Sequence, residues 1–111
     1  MRTFIKSNLE ARFSSLIEGS HSASLFQTNH LLGQGIYLNS HQEYLSNSPA
    51  KATTILTIFK GTGELSILEP DQKPLHIQIT SGDILIIPNM TSFKILNTDQ
   101  DLLIISEILV R

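Results

Sequence analysis

The chain lacks cysteine and tryptophan altogether. Without cysteine there can be no disulfide, no thiolate metal site and no thiol nucleophile, and a reducing compartment is the fitting one. Aromatic residues make up 6 % of the chain and charged residues 16 %. The charges are close to balanced, with 8 Lys and Arg against 10 Asp and Glu for a net charge of −2, and no basic stripe gathers on any segment. Nucleic-acid binding by phosphate neutralisation is therefore not expected. Long apolar runs are absent too: no stretch approaches the length that spans a bilayer, and Met1 to Asn8 has no signal-peptide core. The expected protein is cytoplasmic, without a membrane or nucleic-acid partner. Hydrophobic residues still amount to 41 % of 111 residues, enough for the core of one domain over 1–111. Residues 1–23 stand apart as an irregular segment or part of a dimer interface.

What the chain has is a series of short apolar runs divided by turn residues. Ile55 to Phe59, Glu64 to Leu68, Leu75 to Ile79, Ile84 to Ile87, Phe93 to Leu96 and Leu102 to Val110 read as strands. Between them lie Lys60-Gly61-Thr62-Gly63, a Pro-bounded loop over 69–74, Thr80-Ser81-Gly82-Asp83, Pro88-Asn89 and a polar stretch over 97–101. Short strands at this spacing, punctuated by Gly, Pro and Asn, predict an all-β sandwich or barrel. The first half is less patterned. Leu9 to Ile17 reads as a short helix or irregular strand, 20–24 as a loop, Ser24 to Thr28 and Ile36 to Asn39 as strands, and 46–51 as a loop. Ile- and Leu-rich terminal segments such as Ile104-Ile105 and Ile108-Leu109-Val110 would invite aggregation as sheet edges, so a homodimer that covers one of them is expected.

One run carries a family resemblance. From Gly82 through Pro88 and Phe93 to Asn97 the spacing is Gly, five residues, Pro, four residues, Phe, three residues, Asn. This resembles the second motif of the cupin superfamily, which has a metal-binding His where Phe93 stands. The first cupin motif is degenerate: its Gly maps onto Gly61, its Glu position falls on Thr54, and its two histidines would fall near 47–50, where there are none. A looser alignment from Gly35 reaches His41-Gln42-Glu43. The resemblance covers about the C-terminal two thirds. It implies an all-β cupin double-stranded β-helix, a jelly-roll barrel, that has lost the usual metal ligands. Transition metals want several imidazole and carboxylate donors converging on one point, and Thr54 and Phe93 supply neither. Metal: none, and no cofactor, is the expectation.

Alternation along the strands then sets the interior. If Thr54 and Phe93 point inward, so do Leu56, Ile58 and Ile95, making an apolar interior with one hydroxyl. Such an interior can bind a small apolar ligand, or it can be a filled core. The polar candidates are His41 and Glu43, which on an extended strand share a face with Tyr37 and Asn39 and could serve as base and hydrogen-bond donors towards a sugar-like ligand. An exposed polar face beside a loop is the alternative. His76 alternates with apolar residues and reads as a surface histidine; His21 and His30 have no carboxylate at useful spacing. Gly61-Thr62-Gly63 lacks the Lys-Ser/Thr of a phosphate loop and reads as a hairpin turn. Asp83 reads as a turn residue. The leading expectation is a metal-free cupin-like domain that binds a small molecule or has a regulatory or structural role. The alternative is a metal-independent isomerase or epimerase for a sugar-like or carbonyl substrate, with a metal-dependent dioxygenase behind both.

Overall fold

A computed structural model describes Lys6 and residues 22–46, 52–69 and 71–111. The helix or strand read over Leu9 to Ile17, His21, and most of the 46–51 loop lie outside the described residues. Nine strands are described: β1 Ser22–Gln27, β2 Leu31–Leu38, β3 Glu43–Leu45, β4 Thr53–Lys60, β5 Thr62–Leu68, β6 Leu75–Thr80, β7 Ile84–Ile87, β8 Ser92–Asn97 and β9 Leu103–Val110. They form two sheets, in the orders β1-β2-β9-β4-β7 and β3-β8-β5-β6. Every pairing is antiparallel.

The architecture follows from two bent ribbons. In one, β4 runs into β5 while β6 runs into β7; β4 pairs with β7 in the first sheet and β5 with β6 in the second. The bend needs both strands to turn together. Gly61 and Gly82 supply it, with φ of 99° and 95°, a region in which side chains are strained. The two corners bond to each other: the Gly82 amide donates to the Ile58 carbonyl at 2.8 Å and the Ser81 amide to Gly61 at 3.1 Å. Asp83 accepts the Thr80 amide at 2.8 Å, the turn role expected of it. Gly61 is therefore not in a hairpin turn as its sequence suggested. Its neighbours β4 and β5 lie in different sheets, and a Cβ there would meet the Leu102 carbonyl oxygen at 2.7 Å.

The other ribbon is β2–β3 against β8–β9. Its corner is pinned by Asn97, which is fully buried. The Asn97 side-chain amide donates to the Leu38 and Asp101 carbonyls, both at 2.8 Å, and its side-chain oxygen accepts the Asp99 amide at 2.9 Å. His41 takes up the bend with φ 63°.

β9 is not an edge strand. It lies between β2 and β4, paired along both sides; the edges of that sheet are β1 and β7. β2 is longer than expected because Leu31 to Gly35 belong to it. Glycines weaken a strand signal, and here the Phe26 ring from β1 occupies the space above Gly33, where a Cβ would sit 2.3 Å from it.

The inward faces of the two sheets meet in a core of Ile36, Leu38, Leu56, Ile58, Leu65, Ile79, Ile87, Phe93, Ile95, Leu103 and Ile105. Each such side chain contributes about 1.5–3 kcal/mol by leaving water. Tyr44, Ile67 and Leu85, which pack on the core, are half-buried. No helix among the described residues is long and apolar enough to cross a membrane.

Candidate functional site

Among the polar side chains on this inward surface, three stand together. In β9 the phase that points Leu103 and Ile105 inward also points Glu107 inward. In β2 the phase of Ile36 and Leu38 carries Gln34, which stands opposite Glu107 in the ladder. In β3, Tyr44 stands opposite the core residue Ile95. Two sheets thus deliver Gln34, Tyr44 and Glu107 to one place.

The three close a ring of hydrogen bonds. The Gln34 amide donates to Glu107 Oε1 at 2.5 Å and to the Tyr44 hydroxyl oxygen at 3.0 Å. The Tyr44 hydroxyl donates to Glu107 Oε1 at 3.2 Å, with Oε2 at 3.4 Å. Glu107 is only 3 % exposed, whereas Gln34 and Tyr44 are half-buried. The Tyr44 ring lies 6.4 Å from that of Phe93, tilted by 45°. Burial raises the Glu107 pKa above its ordinary value, and the bonds from Gln34 and Tyr44 oppose the shift without cancelling it. Burial also raises the Tyr44 pKa, followed by the charge of Glu107 and its hydrogen bond, so the phenol stays protonated.

The residues singled out from the sequence are distributed differently. Thr54, Leu56, Ile58, Phe93 and Ile95 are all buried on the inward face, the Phe93 ring at 2 % exposure. His41, Glu43 and Tyr37 do not come together. The expectation of a shared face required an extended strand through 37–43, and the corner after Leu38 breaks that alternation. Tyr37 is buried on the side of β2 opposite Ile36 and Leu38, His41 is exposed in the corner, and Glu43 is exposed beside Lys94 at 3.8 Å. His76 is a surface histidine. Ser66 Oγ at 2.8 Å and Glu64 Oε1 at 3.3 Å both meet its Nδ1, so the trio cannot relay a proton as a serine nucleophile's triad does, through two different ring nitrogens.

Sequence reasoning missed Gln34, Tyr44 and Glu107. The signal was present for two of them: Gln34 and Glu107 sit in the apolar phase of otherwise apolar strands.

The donors do not fit the metal that a cupin resemblance implies. Glu107 is the one inward carboxylate of this cluster, an amide and a protonated phenol are poor ligands, and the position of the motif's late histidine is the Phe93 ring. Among the described residues no group of three His, Asp or Glu could hold a metal ion.

No family model matches the sequence, and no curated protein does. Solved structures do match. A protein from Bacillus halodurans is 18 % identical with a TM-score of 0.77, covering 99 % of this chain and 83 % of its own. A Klebsiella pneumoniae protein with a double-stranded β-helix domain is 15 % identical with a TM-score of 0.75, covering 99 % and 90 %. A cupin superfamily protein from Desulfitobacterium hafniense is 15 % identical with a TM-score of 0.67, covering 89 % and 87 %. With its antiparallel two-sheet barrel, this chain has the cupin double-stranded β-helix fold.

Proposed function

We propose that the chain is a metal-independent cupin-fold domain that binds a small molecule at the barrel mouth, with Gln34, Tyr44 and Glu107 as its polar contacts and Thr54 and Phe93 among its walls. The observation that carries this reading is the buried Glu107 carboxylate, held between two half-buried donors at the end of an otherwise apolar interior. Small-molecule sites are built this way, from an apolar surround with a few convergent polar groups. The test is an NMR titration of the full chain with a panel of small neutral, cationic and anionic compounds. Shifts confined to the Gln34 side-chain amide, Tyr44 and Glu107 support the site; silence of these signals across the whole panel refutes it. Elemental analysis of untagged protein should find no stoichiometric iron, manganese, nickel or zinc.

A metal-independent isomerase or epimerase is the second reading, and one observation favours it. A carboxyl with a raised pKa, hydrogen-bonded to a phenol, has the properties of an acid–base group. The base would be Glu107, since His41 and His76 are exposed. Turnover that Glu107→Gln leaves intact would discard it.

The homodimer belongs to the same proposal. Its support is the edge strand β7, where Ile84 and Ile86 are 66 % and 69 % exposed and no charge guards the strand. Such an edge can pair with its own copy about a two-fold axis. Light scattering should report a dimer at micromolar concentration that Ile86→Lys converts to monomer.

A further inference from the structure

Among the described residues, Glu107 is a buried carboxyl group with no cation beside it. It is 3 % exposed, yet among the described residues its only side-chain partners are the neutral Gln34 and Tyr44. Facing it are Gln34 from β2, Leu56 from β4 and Tyr44 from β3, and of these only Tyr44 titrates, with its shift directed upward, away from neutral pH. A buried carboxylate normally pairs with a positive group or takes up a proton. Among the described residues Glu107 has no such partner.

The acceptor capacity of the group is also incompletely used. A carboxylate has about four lone-pair sites. Oε1 accepts from both Gln34 and Tyr44, whereas among the described residues Oε2 has only the long 3.4 Å contact from Tyr44. Tyr44 is half-buried beside the group, and its ring neighbours that of Phe93. An ammonium group carries three donors and is attracted to aromatic faces as well as to carboxylates. An anionic ligand would meet Glu107 with no Lys, Arg or His in the cluster to offset the repulsion.

We infer that the barrel mouth selects an organic cation, a small amine whose ammonium group pairs with Glu107 Oε2 while its apolar part lies against the half-buried Tyr44 ring. This rests on the binding reading above and names the ligand class for the same site. It accounts for a carboxylate in a phase of β9 that is otherwise apolar. It also accounts for the absence, among the described residues, of any basic side chain beside this buried acid.

Three probes of one shape and different charge test it: benzylamine, benzyl alcohol and benzoate, titrated by NMR and calorimetry into the full chain at pH 7.5. Benzylamine should bind at least about tenfold more tightly than benzyl alcohol, with benzoate weakest. Glu107→Gln should abolish that preference, and Tyr44→Phe, which leaves the charge in place, should keep it. Should Glu107→Gln fail to fold, the wild-type chain answers alone, because the preference should collapse as the pH is lowered through the Glu107 titration. Equal or tighter binding of benzyl alcohol or benzoate overturns the amine assignment while leaving the site itself standing. Failure of all three probes to bind also overturns it, and the wider compound panel then decides whether the site reading falls with it.

Discussion

The Tyr44 hydroxyl lies 3.2 Å from Glu107 Oε1, and that contact joins β3 in one sheet to β9 in the other. The rest of the inter-sheet surface is mostly hydrocarbon, so a polar bridge here has a local job. Tyr44→Phe tests it with little change of shape. The ring keeps its packing against Phe93, and Glu107 loses a donor. Leaving a buried acceptor short of a partner costs about 1–3 kcal/mol, and denaturant unfolding at neutral pH should show a loss of that order. The same substitution should raise the Glu107 pKa further, because the Tyr44 bond favours the charged form. An unchanged midpoint would mean that the hydroxyl supports neither the fold nor the carboxylate.

Glu107 also predicts a pH dependence with a definite sign. Its folded pKa lies above the ordinary 4.5, so the folded state binds this proton more tightly than the unfolded chain does. The stabilising contribution is complete below about the unfolded value and is lost as the pH rises through the folded one. Stability curves of the wild type and Glu107→Gln, measured across this window, isolate the group from the other carboxylates. The wild type should lose ground against the variant as the pH rises. A difference that is flat in pH would mean that Glu107 titrates normally.

The fold was largely legible, and the residues that made it so are corner residues. Gly82 and Asn97, two landmarks of the motif, hold the bends of the two ribbons, and Gly61 holds the matching bend on the partner strand. A third landmark, Phe93, stands where the motif has histidine, and the structure buries its ring in the core beside Tyr44. Strand positions in the second half followed from alternation. What alternation could not show was the corner after Leu38, because a polar stretch such as 39–43 looks the same extended or bent. That concealed the separation of His41, Glu43 and Tyr37. The candidate site was hidden for a different reason. Gln34, Tyr44 and Glu107 are far apart in the chain, and only the pairing of β2 with β9 and the facing of β3 bring them together.

Asn97 bears on whether the motif's asparagine serves structure or chemistry. All three of its side-chain hydrogen bonds go to backbone groups of the corner, at Leu38, Asp99 and Asp101. Asn97→Ala should therefore cost about 1–3 kcal/mol, because it strands a buried carbonyl. Ligand affinity at the mouth should not change under conditions where the variant is folded. Loss of binding at full stability would place Asn97 in the site instead.

Gly61 and Gly82 have nearly equal φ, 99° and 95°, yet substitution should separate them. A Cβ at Gly82 meets nothing within 4 Å, so Gly82→Ala should cost only the backbone strain, about 1–2 kcal/mol. A Cβ at Gly61 would stand 2.7 Å from the Leu102 carbonyl oxygen and 3.0 Å from the Leu103 Cα. Those atoms are backbone leading into the central strand β9, so relief would require moving the strand that both β2 and β4 depend on. Gly61→Ala should thus be clearly the more destabilising of the two, measured as the difference in unfolding free energy under one condition. Equal costs would show that the two sheets can part at this corner, and that the crossing from β4 to β5 is less tightly held than the close approach of Gly61 to Leu102 requires.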